Sequence, residues 1–379
     1  MKKKIALEQI KAGTSFTEDV YVDSQNLLVP AGIPVKQKDL DTLQKWGVNF
    51  VYTEGSQVQV APSQDAARPD GINPAAFFGD RELYRTYAEM VDSLKSVYDR
   101  LARGEGVEPK TVDQISQNVL KVVRDKQSRA VSAILSGDMQ GYSHARAGVN
   151  TAILSVLIGV TLRIPPYRLS YLATGALLHD AGMLRIPDAI VRKKGQLSEE
   201  EHQKMRAHPL LTYRIITKEL LYPDDVGIIG LQHHERWDGQ GYPRRVAGAD
   251  IDVLSRIVSV ADAFEAMVSE KPYRNSMIGY AAMKAILSDN SLRFDPEILK
   301  AFIRSMGIYP IGSLVLLNNA AIARVIETHP DAPLRPKLRV LVDEFGKSHT
   351  DDKGDLVDLL AEKSMFIARA LDPREVASG

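Results

Sequence analysis

Two adjacent histidines, His233 and His234, run directly into an acid, an arginine, a tryptophan and a glycine-bearing turn: residues 233–243 read HHERWDGQGYP. Neutral imidazole is the commonest protein ligand for transition metals, and borderline ions accept mixed nitrogen and oxygen sites. Alone, such a pair is more simply a solvated pair at a helix end. The rest of the chain shifts that balance. His179 is followed by Asp180 at the end of an apolar helix, GALLHDAG, where a carboxylate is costly to bury unless it is paired or metal-bound. Asp262 poses the same problem in RIVSVADAFEAMVS, with Glu265 three residues on and on the same face. His208 precedes Pro209 where the chain turns into a helix, and His144 opens a helix running to Leu162. His202 lies in a charged helix start and reads as a surface residue; nothing near His329 or His349 makes a site. Together His144, His179, Asp180, His208, His233, His234 and Asp262 offer five imidazoles and two carboxylates, enough for two cations. Two metals a few ångströms apart suit phosphoryl hydrolysis. A bridging water is acidified to hydroxide, and both ions stabilise charge on the phosphorane-like transition state. His/Asp ligation fits Fe, Mn, Ni or Zn better than Mg or Ca.

Composition narrows the alternatives. The chain has 379 residues, 44% of them hydrophobic and 25% charged, ordinary values for a globular protein and enough chain for two to three domains. Lys+Arg and Asp+Glu both number 48, so the basic excess of a nucleic-acid-polymer binder is missing. There is no cysteine, which excludes disulfides, Cys-zinc sites, iron–sulfur clusters and thiol nucleophiles. The start, MKKKIALEQIKAG, lacks the apolar core of a signal peptide. The longest apolar run, near Ala152 to Leu162, is too short to span a bilayer. A cytoplasmic protein without a membrane span is the expectation.

The elements that must position these residues are mainly helical. Residues 1–55 read as a small α/β regulatory or adaptor module, with β-like stretches at Val20 to Val22, Leu27 to Val29 and Phe50 to Thr53 and a helix from Lys36 to Lys45. Residues 56–76, rich in Gly, Pro, Ser and Gln, read as a linker. Residues 77–137 carry two helical stripes, Leu83 to Leu101 and Val112 to Ile134, broken at Gly104 and Gly106; the stripes fit an antiparallel hairpin or a homodimer seam equally. Residues 138–345 form a helical core ending in a β-meander over Gly312 to Val342, and residues 346–379 a tail with a last amphipathic helix from Leu356 to Leu371.

The order His…HD…HP…HHE-W-DG-GYP…D resembles that of the HD-GYP family, a branch of the HD superfamily of metal-dependent phosphohydrolases. The resemblance covers roughly residues 130–345 and includes RIPD (Arg185 to Asp188), the VAD helix, KPYR (Lys271 to Arg274) and FDP (Phe294 to Pro296). It implies an all-helical catalytic core that hydrolyses cyclic di-GMP to linear pGpG or on to GMP. It implies that Asp180 bridges two divalent first-row metals, Fe or Mn foremost. His144, His179 and Asp262 then complete one shell, and His208, His233 and His234 the other. Gly241, Tyr242 and Pro243 become the GYP loop, beside the site and linked to partner-protein contacts. Lys271 and Arg274 become cations for the substrate's phosphates and guanines. The chain departs from the family at three places. Gln140 stands where members with a third metal carry Glu, which favours a dinuclear site. Met183 stands where a Lys is frequent, with Arg185 as the replacement cation beside the catalytic His179 and Asp180. Glu265 stands where Asp is common. Gln140 and Met183 also motivate a second reading, a weakly active signalling adaptor that binds the nucleotide or a partner; a third is hydrolysis of another cyclic dinucleotide.

Overall fold

The computed structural model describes residues 3–10, 14–18, 20–21, 27–29, 35, 40, 50–59, 80–135, 143–193, 195–269, 277–288, 292–349 and 353–372. The chain divides into two compact units, Met1–Pro69 and Asp70–Gly379. In the first, strands β1 (Lys3–Ala6), β3 (Val20–Tyr21), β4 (Leu27–Val29) and β5 (Phe50–Thr53) form an antiparallel sheet in the order β1-β5-β3-β4. Strand β2 (Thr14–Phe16) pairs with β6 (Gln57–Gln59). Phe16, Val20, Val35 and Val51 are buried together in a small core. The β-like stretches expected here are strands, but β6 lies inside the expected linker: two polar residues around Val58 gain backbone partners from β2, which composition does not reveal. Most of the helix expected from Lys36 to Lys45, and the linker beyond Gln59, fall outside the described residues.

The second unit is a helical core. Helices α1 (Arg81–Ala102) and α2 (Pro109–Leu135) pack together and against α3 (His144–Thr161). Their stripes share one core with α3 and the helices beyond it, from Leu83 and Leu94 through Val149 and Leu154 to Leu177 and Val258. The stripes are therefore covered within the chain. The Asp80 carboxylate caps α1, accepting from the Leu83 amide at 3.0 Å, and holds Lys126 and Arg129 of α2 at 2.9 and 2.7 Å. Helix α3 is buried along almost its whole length, as expected of a helix apolar all round. Around it pack α4 (Pro166–Leu178), α9 (Val253–Val268), α2, α1 and α11 (Pro296–Met306). Short helices α5 (Asp188–Val191), α6 (Glu199–Met205), α7 (His208–Arg214) and α8 (Asp224–Gln232) connect α4 to α9, and α10 (Gly279–Ser288) follows α9. Among the described residues no helix is long and apolar enough to cross a membrane.

The expected meander is present as β7 (Leu314–Leu317), β8 (Ile322–Glu327) and β9 (Lys337–Val342). The expected helix from Leu356 to Leu371 is not. That segment supplies strands β10 (Leu356–Asp358) and β11 (Ile367–Leu371), which close a five-stranded antiparallel sheet in the order β10-β9-β8-β7-β11. The physical reason is the meander itself. Its two outer strands, β7 and β9, leave backbone groups unpaired, and the tail satisfies them at both edges. The helix-favouring composition of LVDLLAEK yields to that demand: Leu359 is buried while Leu356 and Leu360 are exposed.

Candidate metal centre

The centre is assembled from three helix ends and one helix face. Helix α4 stops at Leu178, and His179 and Asp180 turn out of it into a 3-10 turn, Ala181–Arg185. His208 opens α7, His233 and His234 follow α8, and Asp262 sits in the third turn of α9. The turn after Asp180 comes very close to α7. The Gly182 amide donates to Thr212 Oγ1 at 2.9 Å, and a Cβ on Gly182 would stand 2.1 Å from the His208 carbonyl oxygen. Only glycine permits that approach, and the approach sets His208 against Asp180. At the other side, Gln232 Oε1 accepts from the Asp252 amide at 2.8 Å, joining the end of α8 to the start of α9.

The imidazoles share one device. Nδ1 of His179, His208 and His233 donates to the carbonyl three residues back, of Ala176, Met205 and Gly230, at 2.7, 2.8 and 2.8 Å. A carbonyl only accepts, so the proton is on Nδ1 and Nε2 is directed to the interior, the arrangement by which outer partners orient metal-binding histidines. The Nε2 atoms of His208 and His233 lie 3.4 Å apart. Asp180 stands among them, with Oδ1 3.3 Å from His208 Nε2 and 3.6 Å from His233 Nε2, and Oδ2 3.7 Å from His179 Nε2. Asp262 Oδ1 lies 3.5 Å from His179 Nε2. One donor atom from each of Asp180, His208, His233 and His234 lies within 4.8 Å of the others. Facing imidazole lone pairs beside a two-sided carboxylate are a donor set that fits cations on both sides of Asp180.

The electrostatics agree. Burial opposes charge on His179, but the Asp180 and Asp262 carboxylates outweigh it and raise its pKa to about 9. Burial pushes His208 down, against the pull of Asp180. Burial and the neighbouring His233 and His208 push His234 far down. Burial works against ionisation of Asp180 and Asp262, yet the surrounding histidines hold both carboxyls well below the usual range. Burial thus favours neutral imidazoles at His208 and His234 beside ionised carboxylates, the state a metal requires of its ligands, whereas His179 must give up a proton to the solvent when metal binds.

The GYP loop closes one wall. Tyr242 stacks on His234, ring centroids 4.8 Å apart. Gly241 lies against the backbone of residues 234–236, so close that a Cβ would come within 2.6 Å of it, and the Tyr242 amide donates to the His234 carbonyl at 3.2 Å. The Tyr242–Pro243 peptide is cis and Pro243 is exposed. Burial, with Asp180 and Asp262, pushes the Tyr242 phenol up, while Arg206 and Arg293 act the other way.

The structure thus brings together His179, Asp180, His208, His233, His234 and Asp262, with Tyr242 and Gly241 beside them. His144 is half-buried at the first turn of α3, the helix that packs on α4 and α9. Gln140, Lys271 and Arg274 lie outside the described residues. Arg185 is engaged elsewhere: its guanidinium donates to the Leu101 carbonyl at 2.7 Å and to Glu219 at 3.0 Å, so its role here is to tie the HD turn to the end of α1. Glu265 turns away from Asp262 into the core, accepting from Asn150 Nδ2 at 3.3 Å and Ser269 Oγ at 2.6 Å.

Two families match the chain: an HD domain over residues 129–298, and a KOW domain associated with HD domain over residues 314–379, the span of the C-terminal sheet. A cyclic di-GMP phosphodiesterase of Pseudomonas aeruginosa is 28% identical over 321 residues, 80% of this chain and 76% of that protein. The cyclic di-GMP phosphodiesterase PdeB of Borreliella burgdorferi is 24% identical over 355 residues, 94% of this chain and 92% of its own. Residues 129–298 of the chain carry an HD domain, a phosphohydrolase domain. The chain is an HD-type phosphodiesterase, and its HD domain binds divalent metal. A shorter likeness, 36% identity over 160 residues, is to a 3'3'-cGAMP-specific phosphodiesterase of Vibrio cholerae, covering 42% of this chain and 34% of that protein.

Sequence reasoning missed one residue of this wall. Glu235, between the histidine pair and Arg236, is buried, and its Oε1 accepts from the Arg244 and Arg245 amides at 2.6 and 3.1 Å. It latches the loop that carries Tyr242. An acidic residue inside a buried motif with no metal role of its own is the signal that points to such a latch.

Proposed function

We propose that this chain opens the ring of cyclic di-GMP by hydrolysing a phosphodiester, giving linear pGpG and, by a second cut, GMP. Two divalent first-row ions, Fe or Mn foremost, would be held by His144, His179 and Asp262 on one side and by His208, His233 and His234 on the other, with Asp180 available to both. The observation that carries this reading is the position of the Asp180 carboxylate, one oxygen toward His208 and His233 and the other toward His179.

The metals, when bound, acidify the attacking water and take up charge on the phosphoryl oxygens. The chain's own residues do the rest. Nδ1–carbonyl bonds fix the three imidazole planes before substrate arrives, so little reorganisation is left for the reaction. Tyr242, packed on His234, shields that side of the cluster from solvent. Lys271 and Arg274 hold the phosphates and guanines.

The test is to incubate the protein, loaded with Mn or Fe under reducing conditions, with cyclic di-GMP and to follow linear product by chromatography. Turnover that is abolished by chelation and restored by metal is the expected result; tight binding without turnover under both metals sinks the reading and leaves the adaptor role. The likeness to a cGAMP-specific relative favours one competing substrate, 3'3'-cGAMP. A higher kcat/KM for it in the same assay would replace cyclic di-GMP.

A further inference from the structure

The outer wall of the cluster carries a cation to which the metal chemistry gives no task. Arg206 ends α6 two residues before His208, and its side chain is exposed. Its guanidinium carbon lies 5.7 Å from the centroid of the Tyr242 ring, within cation–π range, and Tyr242 in turn stacks on His234. Among the described residues this guanidinium has no carboxylate partner. Two of the three acids on its own helix are engaged by others, Glu200 with Lys204 at 2.7 Å and Glu201 with Lys193 at 2.6 Å, and the third, Glu199, lies at the opposite end of the helix. The cations near Tyr242 differ in this respect, since Arg293 has further partners and packs over Phe294 at 4.9 Å. An arginine resting on an aromatic face, its planar fork of donors uncommitted, is suited to bidentate capture of a phosphate.

The position of the charge decides which phosphate. In this chain of contacts the Tyr242 ring stands between Arg206 and the His234 imidazole, so a phosphoryl group held on the His234 side of the cluster is one ring removed from the guanidinium. We propose that Arg206 is a specificity-determining residue that binds the non-reacting phosphate of a cyclic dinucleotide while the other phosphate is at the metal cluster. The proposal rests on the cyclic-dinucleotide reading above. It makes Arg206 the feature that separates a two-phosphate ring from a simple phosphodiester. It also gives the Tyr242 ring a second use, as the platform that holds the guanidinium extended before substrate arrives.

The experiment compares two substrates, cyclic di-GMP and bis(p-nitrophenyl) phosphate, which has a single phosphate, in wild type, Arg206→Met and Arg206→Lys, all metal-loaded. The expected result is that Arg206→Met lowers the ratio of kcat/KM for cyclic di-GMP over the simple diester by tenfold or more, through KM. The lysine variant is expected to recover part of the loss, and metal content and melting temperature to stay at wild-type values. An equal loss on both substrates, or an unchanged ratio, overturns the proposal. If wild type cleaves the simple diester but not cyclic di-GMP, the substrate reading falls by itself. Equilibrium binding of cyclic di-GMP then decides on Arg206. Binding weakened tenfold in Arg206→Met supports the assignment, and binding that is equal or undetectable in both proteins overturns it.

Discussion

The wall that carries His179 and Asp180 is held by helices from several directions, whereas the wall that carries His234 and Tyr242 is a loop folded over one buried carboxylate. On the first wall, Tyr98 of α1 donates to the Leu177 carbonyl at 2.6 Å, two residues before His179. Arg185 returns to the Leu101 carbonyl of the same helix, and Gly182 packs into the start of α7. On the second wall, Glu235 collects two amides through Oε1, while its Oε2 is buried without a hydrogen-bond partner among the described residues. The loop is also pinned by the Trp237 and Asp238 amides, which donate to the Arg293 and Leu292 carbonyls, both at 2.9 Å. The difference teaches a division of labour. The helical wall fixes His179 and Asp180, which tolerate little displacement, and the loop wall, which carries His234 as well, shapes the mouth through Tyr242.

That comparison breaks first at Asp180. Asp180→Ala removes the group both sides share, so kcat/KM should fall by about three orders of magnitude or more. Bound metal, measured by elemental analysis, should fall with it; retention of full metal content would refute the shared-ligand assignment. Next is Gly182→Ala. The added methyl meets backbone that cannot yield cheaply, and about 2–4 kcal/mol of stability should be lost in chemical denaturation, together with metal affinity. Glu235→Ala addresses the other wall. A loss of about 1–3 kcal/mol is expected from the unlatched amides, with KM raised and metal content intact; metal loss equal to that of Gly182→Ala would erase the distinction between the walls. The smallest effect is at the brace behind the helical wall. Asp80 has its pKa lowered by the Leu83 amide and by Lys126 and Arg129, against the opposing effect of burial. A lowered carboxyl stabilises the fold above its unfolded pKa, about 3.9, and that contribution is lost as pH falls toward the folded value. Asp80→Asn, which keeps a capping oxygen, should therefore cost roughly 1 kcal/mol or less at pH 7, and the difference in melting temperature should shrink below about pH 4.

Parts of this were legible in the chain and parts were not. His179, Asp180, His208, the histidine pair and Asp262 announce themselves because ionisable groups at the ends or on the faces of apolar helices need partners. The engagement of Arg185 is not legible in the chain because a cation's partner cannot be seen along it: Leu101 and Glu219 lie 84 and 34 residues away. Glu235 was passed over because its task, holding amides nine and ten residues on, depends on how the loop folds back. Arg206 carries no sequence signal at all.

The sequence by itself determined the ligand chemistry, with imidazole and carboxylate and no thiol, and the helical frame, because side-chain type and a period of 3.6 are local properties. Only the tertiary structure decided which oxygen of Asp180 faces which histidine, that Glu265 turns inward, and that the tail from Leu356 to Leu371 is two strands. Those outcomes depend on close approach at Gly182 and on open sheet edges at β7 and β9, which arise from the packing of distant segments.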